Sequence, residues 1–181
     1  FHAGTEGGGV VKIRWVESET VTDENAAALL DGCAGILVPG GFGDRGIEGM
    51  IAAARYARTR GVPYLGICLG MQIAVIEFAR HVLGWADAHS AEFAPDTAHP
   101  VIHLMPDQRG VTEKGGTMRL GQYPCRLAPG SRAAALYGRA GIAERHRHRY
   151  EFNNDYRAAM EAHGLALAGT SPDGRLVELT E

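Results

Sequence analysis

A cysteine flanked by glycines is the residue best suited to chemistry in this chain. Cys68 lies in the run Pro63-Tyr-Leu-Gly-Ile-Cys-Leu-Gly-Met-Gln72, with Gly66 and Gly70 two residues to either side. A nucleophile on a strand-to-helix turn needs small neighbours, because larger side chains would collide with adjacent backbone. We expect the following helix N-terminus to lower the pKa of the thiol, and the Leu69 amide to stabilise an oxyanion. A lone cysteine is more often a buried structural residue, but the two glycines favour a nucleophile.

A second glycine-rich stretch, Val38-Pro-Gly-Gly-Phe-Gly-Asp-Arg-Gly46, follows the preceding apolar run. Adjacent parallel strands deliver their carboxyl ends to one edge of a sheet, so this loop is expected to approach Cys68. Gly41 could then offer a second backbone N–H to the oxyanion. Such a loop alone is more often only a turn, and the cysteine that follows it makes the functional interpretation stronger.

Histidines and arginines alternate in the run Glu144–Tyr150 and suggest a metal site or a phosphate-binding stripe. On a strand His146 and His148 share one face and the three arginines share the other. We expect no metal, because the arginines oppose a dication and no third ligand stands at suitable spacing. Cys33 and Cys125 lack glycine neighbours and are expected to be core cysteines.

Alternating strand and helix patterns must position these residues. Residues 10–16 alternate apolar with basic and predict a half-exposed strand. Short apolar runs predict buried strands at Ala34–Val38 and Pro63–Ile67. Helical patterns follow each strand, over Thr22–Leu30, Ile47–Arg60 and Leu69–Leu83. The order predicts an α/β fold of the flavodoxin-like type, with a doubly wound, mainly parallel sheet and helices on both faces.

Shorter segments follow residue 90 and indicate mainly strands. Strands are predicted at Val101–Met105 and Met118–Leu127, and a short helix at Asn154–His163. Leu165–Thr170 and Leu176–Thr180 flank a Ser-Pro-Asp-Gly turn and predict a β-hairpin near the C-terminus. No linker divides residues 1–181, so one domain is expected.

The composition of the chain disfavours several classes of protein. The chain has 181 residues and a net charge of −3, which disfavours a general nucleic-acid binder. No apolar run approaches the ~20 residues that span a bilayer, so no membrane partner is expected. Three cysteines without a CxxC pair fit a reducing cytoplasm better than a disulfide framework.

Four separated blocks carry a family resemblance: VPGGFGDRGIEG, PYLGICLGMQ, GGTMRLG and ERHRHRYEFN. In this order they resemble the class I (triad) glutamine amidotransferases, and most closely the glutaminase domain of the CTP synthase family. The resemblance covers nearly the whole chain. It implies that Cys68 attacks the side-chain amide of L-glutamine, forms a glutamyl thioester and releases ammonia.

The resemblance also implies partners outside this chain. In the family, an N-terminal synthase domain of the same polypeptide uses the ammonia to convert UTP to CTP, a reaction of pyrimidine biosynthesis. ATP and Mg²⁺ serve that domain, and GTP is an allosteric activator. No cofactor is expected in the glutaminase domain itself. The full-length enzyme is expected to be a cytoplasmic homotetramer.

Site residues carry over from the family by position. The implied oxyanion hole is the backbone of Gly41 and Leu69. Glu92 is implied for the amino group of glutamine and Arg149 for its carboxylate, although alone both would be interpreted as solvated surface charges. The remaining implied contacts with glutamine are Gly70, Met71 and Gln72, and the candidates for the response to GTP are Thr117 and Arg119.

The chain also departs from the family. The family's His-Pro-Glu segment, which completes the triad, does not occur in it, and neither does the strand that relatives place before Phe1. We therefore expect the chain to be a piece of a longer protein, with both ends cut or left out of the sequence. We also expect this piece to be inactive when it is isolated. Two alternatives stay open: another class I amidotransferase (GMP synthetase-like or carbamoyl-phosphate-synthetase-like), or a non-catalytic glutamine-binding fragment. A cysteine peptidase of similar fold would lack Glu92 and Arg149.

Overall fold

The computed structural model describes residues 2–104 and 119–181. Its α-helices are α1 (His2–Glu6), α2 (Ala26–Leu30), α3 (Ile47–Arg60), α4 (Leu69–His81), α5 (Arg132–Tyr137) and α6 (Arg157–Ala162). Short 3-10 helices cover Ser18–Thr20 and Asn154–Tyr156. The strands are β1 (Ile36–Val38), β2 (Tyr64–Gly66), β3 (His89–Ser90), β4 (Pro100–Leu104), β5 (Arg119–Leu127), β6 (Gly141–His148), β7 (Tyr150–Phe152), β8 (Leu167–Thr170) and β9 (Val177–Thr180).

Helices α3 and α4 pack against each other and lie where the apolar spacing predicts them. Helix α3 ends at Gly61, whose left-handed backbone (φ 67°) lets its N–H reach the carbonyl oxygens of Ala57 and Arg58. Helix α4 begins immediately after Cys68 and buries most of its length, with Ile73 and Ile76 fully enclosed. The two helices pack with β4, β7 and α6 around the largest apolar cluster of the described residues.

The described strands form three sheets. Strands β1 and β2 pair in parallel, and β3, β4 and β7 form a mixed sheet in that order. The four-stranded sheet has the order β6-β5-β8-β9 and is antiparallel throughout. Its β8–β9 pair is the β-hairpin that the Ser-Pro-Asp-Gly turn predicts.

The predicted doubly wound, mainly parallel sheet is confirmed only in part. Parallel pairing is limited to β1–β2 and β3–β4, and the other pairings in the described residues are antiparallel. Only one face of the β1–β2 pair is buried, because Leu37, Leu65 and Ile67 on the other face are 57%, 56% and 49% exposed. Helix cover on both faces is therefore not what the described residues show.

The strand predicted over residues 10–16 is wrong. This segment has no strand pairing, and Val10 and Trp15 are almost fully exposed. Arg14 instead ties it to α2, donating to the carbonyl oxygens of Leu29 and Asp31 at 3.0 and 2.9 Å. Alternating apolar residues form a strand only when a neighbouring edge accepts their backbone hydrogen bonds.

Smaller differences concern element ends. Helix α2 begins at Ala26 rather than Thr22, because residues Thr22–Asn25 form a turn closed by Thr22 N–H donating to Asn25 Oδ1 at 2.8 Å. Helix α4 ends at His81, and the predicted helix near residue 154 is divided into a 3-10 turn and α6. Across the part of the chain that the structure describes, no helix is long and apolar enough to cross a membrane.

Candidate active site

The backbone of Cys68 adopts a conformation that favours glycine. Its φ is 56° and its ψ is −108°, and it is the one non-glycine residue with positive φ in residues 2–104 and 119–181. Such a conformation costs about 1–3 kcal/mol and persists only when the surroundings impose it. Here β2 ends two residues before Cys68 and α4 begins one residue after it. The turn therefore presents the thiol just after the carboxyl end of β2, at the start of α4.

The glycines on either side of Cys68 are required by close backbone contacts. A Cβ on Gly66 would lie 2.4 Å from the carbonyl carbon and oxygen of Gly70. A Cβ on Gly70 would lie 2.1 Å from the carbonyl oxygen of Val38 in β1. Both neighbours are backbone atoms, which cannot move aside as a flexible side chain can. The glycine pattern thus reflects the packing of the turn on β1 and α4.

The glycine-rich loop reaches the thiol as predicted from the strand order. A Cβ on Gly40 would lie 3.2 Å from the Cβ of Cys68, so the loop and the turn are in contact. The backbone N–H groups of Leu69 and Gly41 both act on the sulfur to lower its pKa. Two N–H groups from different elements therefore lie beside the thiol, which makes them candidates for an oxyanion hole.

The expected low pKa of the Cys68 thiol is wrong in direction. Burial raises the pKa above its ordinary value of 9.0, and the charges of Glu151 and Glu92 raise it further. The Leu69 and Gly41 amides offset only part of this shift. The free energy needed to remove a thiolate from water is larger than the stabilisation that the helix N-terminus and the loop amide provide.

Glu92 and Arg149 lie in the same region as Cys68. Arg149 stabilises the charged form of Glu92, although partial burial raises the pKa of that carboxyl group. The Glu92 charge in turn acts on Cys68. The Arg149 Nε atom is buried and has no hydrogen-bond partner in the described parts of the chain. Glu92 thus interacts with both the thiol and Arg149, and Arg149 has a buried donor without a partner among the described residues.

The remaining residues of the predicted glutamine contacts are buried or partly buried and also make contacts within the fold. Leu69 and Gly70 are buried, and the Gly70 carbonyl oxygen accepts a hydrogen bond from Tyr64 Oη at 2.8 Å. Gln72 is buried as well, and its Nε2 donates to the carbonyl oxygen of Tyr150 at 3.0 Å. Met71 is partly buried and packs on the apolar core.

Beside the site lies a buried charge cluster that the sequence did not reveal. Arg119 donates through Nη1 to Glu151 Oε1 at 3.2 Å and to Glu178 Oε2 at 3.1 Å, and through Nη2 to Glu178 Oε1. His146 and His148 adjoin it, with their Nδ1 atoms 3.2 Å apart. Burial lowers the pKa of His148 to about 4, helped by the charges of His146 and Arg119. The Arg119 guanidinium thus supplies the positive charge between these acids and histidines.

No group of three or more metal-ligating side chains within residues 2–104 and 119–181 is arranged to hold a metal ion. Thr117 lies outside the described residues. Arg119, the other candidate for the GTP response, is buried with both Nη atoms donating to carboxylates. No sequence pattern indicated that Glu178 pairs with Arg119, because the two residues are 59 positions apart.

The family model for class I glutamine amidotransferases matches residues 1–181. The chain belongs to this family. The fold described above is similar to that of a solved structure, the glutaminase domain of Trypanosoma brucei CTPS with bound acivicin. The TM-score between the two is 0.91. That match has 40% sequence identity and covers 99% of this chain and 71% of the other.

Several curated relatives of this amidotransferase chain are CTP synthases. The chain is 65% identical to CTP synthase of Chloroflexus aurantiacus over 180 residues, which cover 99% of this chain and 33% of the relative. It is 62% identical to CTP synthase of Halalkalibacterium halodurans over 180 residues, or 34% of that relative. The chain therefore spans about a third of the length of the curated relatives that it matches.

Proposed function

We propose that this chain is the glutaminase part of a CTP synthase and hydrolyses L-glutamine through a thioester on Cys68. The observation that carries the proposal is a thiol held at positive φ directly before α4, with the loop of Gly40 and Gly41 in contact with it. The high identity to CTP synthases supports the assignment of the ammonia to the amination of UTP.

In the proposed reaction the Cys68 sulfur attacks the side-chain amide carbon of glutamine. The carbonyl oxygen becomes an oxyanion that accepts hydrogen bonds from Gly41 N–H and Leu69 N–H. The carbon–nitrogen bond then breaks, and the nitrogen leaves as ammonia after it receives a proton. Water hydrolyses the thioester to glutamate and returns the thiol.

Recognition of glutamine is proposed to depend on two opposite charges. A free amino acid carries an ammonium and a carboxylate, so a selective site needs an acid and a base held apart. Glu92 would accept from the ammonium, and the buried Arg149 Nε would donate to the carboxylate. Leu69, Gly70, Met71 and Gln72 would form the wall of the pocket around the reacting amide.

The general base is proposed to come from the family's His-Pro-Glu segment, which is not in this sequence. In the described residues, the charged groups that shift the Cys68 pKa are the carboxylates of Glu151 and Glu92. A positioned histidine contributes typically ~10²–10⁴ in rate. We therefore expect these 181 residues alone to hydrolyse glutamine extremely slowly.

The finer assignments follow the family. ATP and Mg²⁺ would serve an N-terminal synthase domain of the same polypeptide, with GTP as activator through Thr117 and Arg119. The whole enzyme would be a cytoplasmic ligase that assembles as a homotetramer. The three described sheets would belong to a more extensive doubly wound sheet in the complete domain.

The decisive experiment uses the full-length polypeptide and its Cys68→Ala variant. Wild type should release ammonia from glutamine and form CTP from UTP with either glutamine or free ammonia. The variant should lose only the glutamine-dependent reaction. Ammonia release that persists without Cys68 would show that the thiol is not the nucleophile, and a wild type that binds glutamine without hydrolysis would indicate a non-catalytic domain.

A second comparison tests the origin of the base. Ammonia release by the exact 181-residue chain is compared with release by the same domain extended through the His-Pro-Glu segment, each with a Cys68→Ala control. Comparable Cys68-dependent turnover in both proteins would contradict an external base and direct attention to the histidines of this chain.

A further inference from the structure

Arg149 lies where the chain passes from one sheet to another. Strand β6 ends at His148 in the four-stranded sheet, and β7 begins at Tyr150 in the three-stranded sheet. Arg149 is the single residue between them, in a bend. The direction in which the Arg149 side chain points therefore depends on how firmly the two strand ends are held relative to each other.

Arg119 holds both sides of this bend. In the β5–β6 ladder it pairs with His148, the residue before Arg149. Its Nη1 atom donates to Glu151, which lies two residues after Arg149 in β7, at 3.2 Å. Through its backbone and its side chain, Arg119 thus links the ends of two strands that belong to different sheets.

Glu178 fixes the guanidinium of Arg119 from a third strand. It accepts hydrogen bonds from both Nη atoms, and the side chains of Arg119, Glu151 and Glu178 are only 5%, 8% and 3% exposed. Ion pairs screened from water in this way hold one geometry, because breaking the pair leaves a buried charge without a partner.

A second and independent link comes from the helix of the nucleophile. Gln72 in α4 donates from Nε2 to the carbonyl oxygen of Tyr150, the residue after Arg149. The bend is therefore held against α4 as well as across the sheets. The Arg149 Nε atom remains buried and unpartnered in the described residues, so nothing described at that atom fixes the side chain directly.

We propose that Arg119 is a positioning residue that aims Arg149 at the carboxylate of glutamine through Glu151 and β7. The proposal rests on the proposed function, since it takes glutamine as the ligand of Arg149. It gives Arg119 a role in substrate affinity that does not require GTP. Small displacements of a binding group reduce productive geometry steeply, so a loss of ~10-fold in glutamine use is expected when the bridge is broken.

The test uses the full-length polypeptide without GTP and compares Arg119→Met with Glu178→Gln. Two reagents are applied to each protein: iodoacetamide, which needs only the thiol, and 6-diazo-5-oxonorleucine, which must bind as an amino acid. In both variants labelling of Cys68 by the glutamine analogue should slow ~10-fold, while alkylation by iodoacetamide stays within about twofold. The KM for glutamine should rise more than kcat falls.

Arg126→Met is the matched control, because Arg126 lies on the same strand and its side chain is exposed. It should not change either labelling rate. If both reagents lose rate equally in Arg119→Met and in Glu178→Gln, the cluster maintains the fold and the proposal is wrong. If the analogue labels Arg119→Met as fast as wild type, the proposal is also wrong.

A double-mutant cycle separates positioning from direct contact. If Arg119 acts through Arg149, Arg119→Met should have no further effect in an Arg149→Met background. Independent losses that multiply would contradict the proposal and indicate that Arg119 touches a ligand itself. Failure of the analogue to label wild-type Cys68 at all would instead refute the proposed function.

Discussion

Gly70 and Val38 meet backbone to backbone, and a Cβ on Gly70 would lie 2.1 Å from the Val38 carbonyl oxygen. This contact seats the first turn of α4 on β1 and so fixes the height of the Cys68 thiol above the sheet. The position of the nucleophile is thus determined by a distance that only glycine permits.

Gly70→Ala should therefore destabilise the protein and reduce its reactivity together. Forcing a methyl group into packed backbone costs typically 1–3 kcal/mol, and here it also displaces Cys68. Thermal unfolding checks the first effect and Cys68 labelling the second. Gly141→Ala is the control, since its Cβ would lie 3.7 Å from the nearest atom, the Cys125 carbonyl oxygen. Equal melting temperatures for the two variants would contradict the packing argument.

The alkylation of Cys68 should increase with pH up to and beyond 9.0. Burial raises the pKa of this thiol above that ordinary value, and only the thiolate reacts. Iodoacetamide rates measured between about pH 7 and 10 should rise without levelling off before 9.0. Mass spectrometry should place the adduct on Cys68 and not on Cys125, whose pKa is raised to about 11 by burial and by Glu178. A plateau near neutral pH would contradict this expectation.

Arg149→Met in the full-length polypeptide should separate glutamine from ammonia as nitrogen sources. Loss of a charge-assisted hydrogen bond of about 1.5–3 kcal/mol should raise the KM for glutamine ~10- to 100-fold. CTP formation from free ammonia should be unaffected, because ammonia bypasses the site. Arg145→Met, at an exposed arginine in the preceding strand β6, is the control. Equal losses with both nitrogen sources would mean that Arg149 is structural.

Acid should destabilise the fold through His148. Its folded pKa is about 4 against 6.5 for the free side chain, so the unfolded chain binds more protons between these values. The free energy of unfolding should therefore fall as the pH drops from 6.5 towards 4, by up to ~3 kcal/mol from this residue. Urea titrations should show a smaller fall for His148→Gln than for wild type. His163→Gln, at an exposed histidine, should follow wild type.

The sequence predicted the elements around the nucleophile well because their signals are local. Helix α3 has the predicted bounds, since Gly46 and Gly61 mark its two ends with left-handed backbone. The glycines around Cys68 report a close contact that no other residue type permits. Such signals need no knowledge of distant parts of the chain.

Two predictions that depend on distant partners failed, and one distant contact was missed. Residues 10–16 have the period of a strand, but the described residues provide no edge that accepts them. The helix N-terminus at Cys68 was visible in the sequence, whereas the burial that outweighs it was not. The bridge from Arg119 to Glu178 joins residues 59 positions apart, and neither stands in a pattern that indicates the other.

The positive φ of Cys68 sets stability and chemistry against each other at one position. Glycine would adopt φ 56° and ψ −108° without strain. Any other residue at this position keeps the backbone strain. Cys68→Gly should therefore melt at a higher temperature than Cys68→Ala, although both lack the thiol. In relatives that are no longer selected to use glutamine, substitution of this cysteine by glycine would stabilise the fold. We expect that substitution to appear before changes that disrupt the surrounding packing. A glycine at this position in an otherwise matching relative would thus be a record of abandoned catalysis.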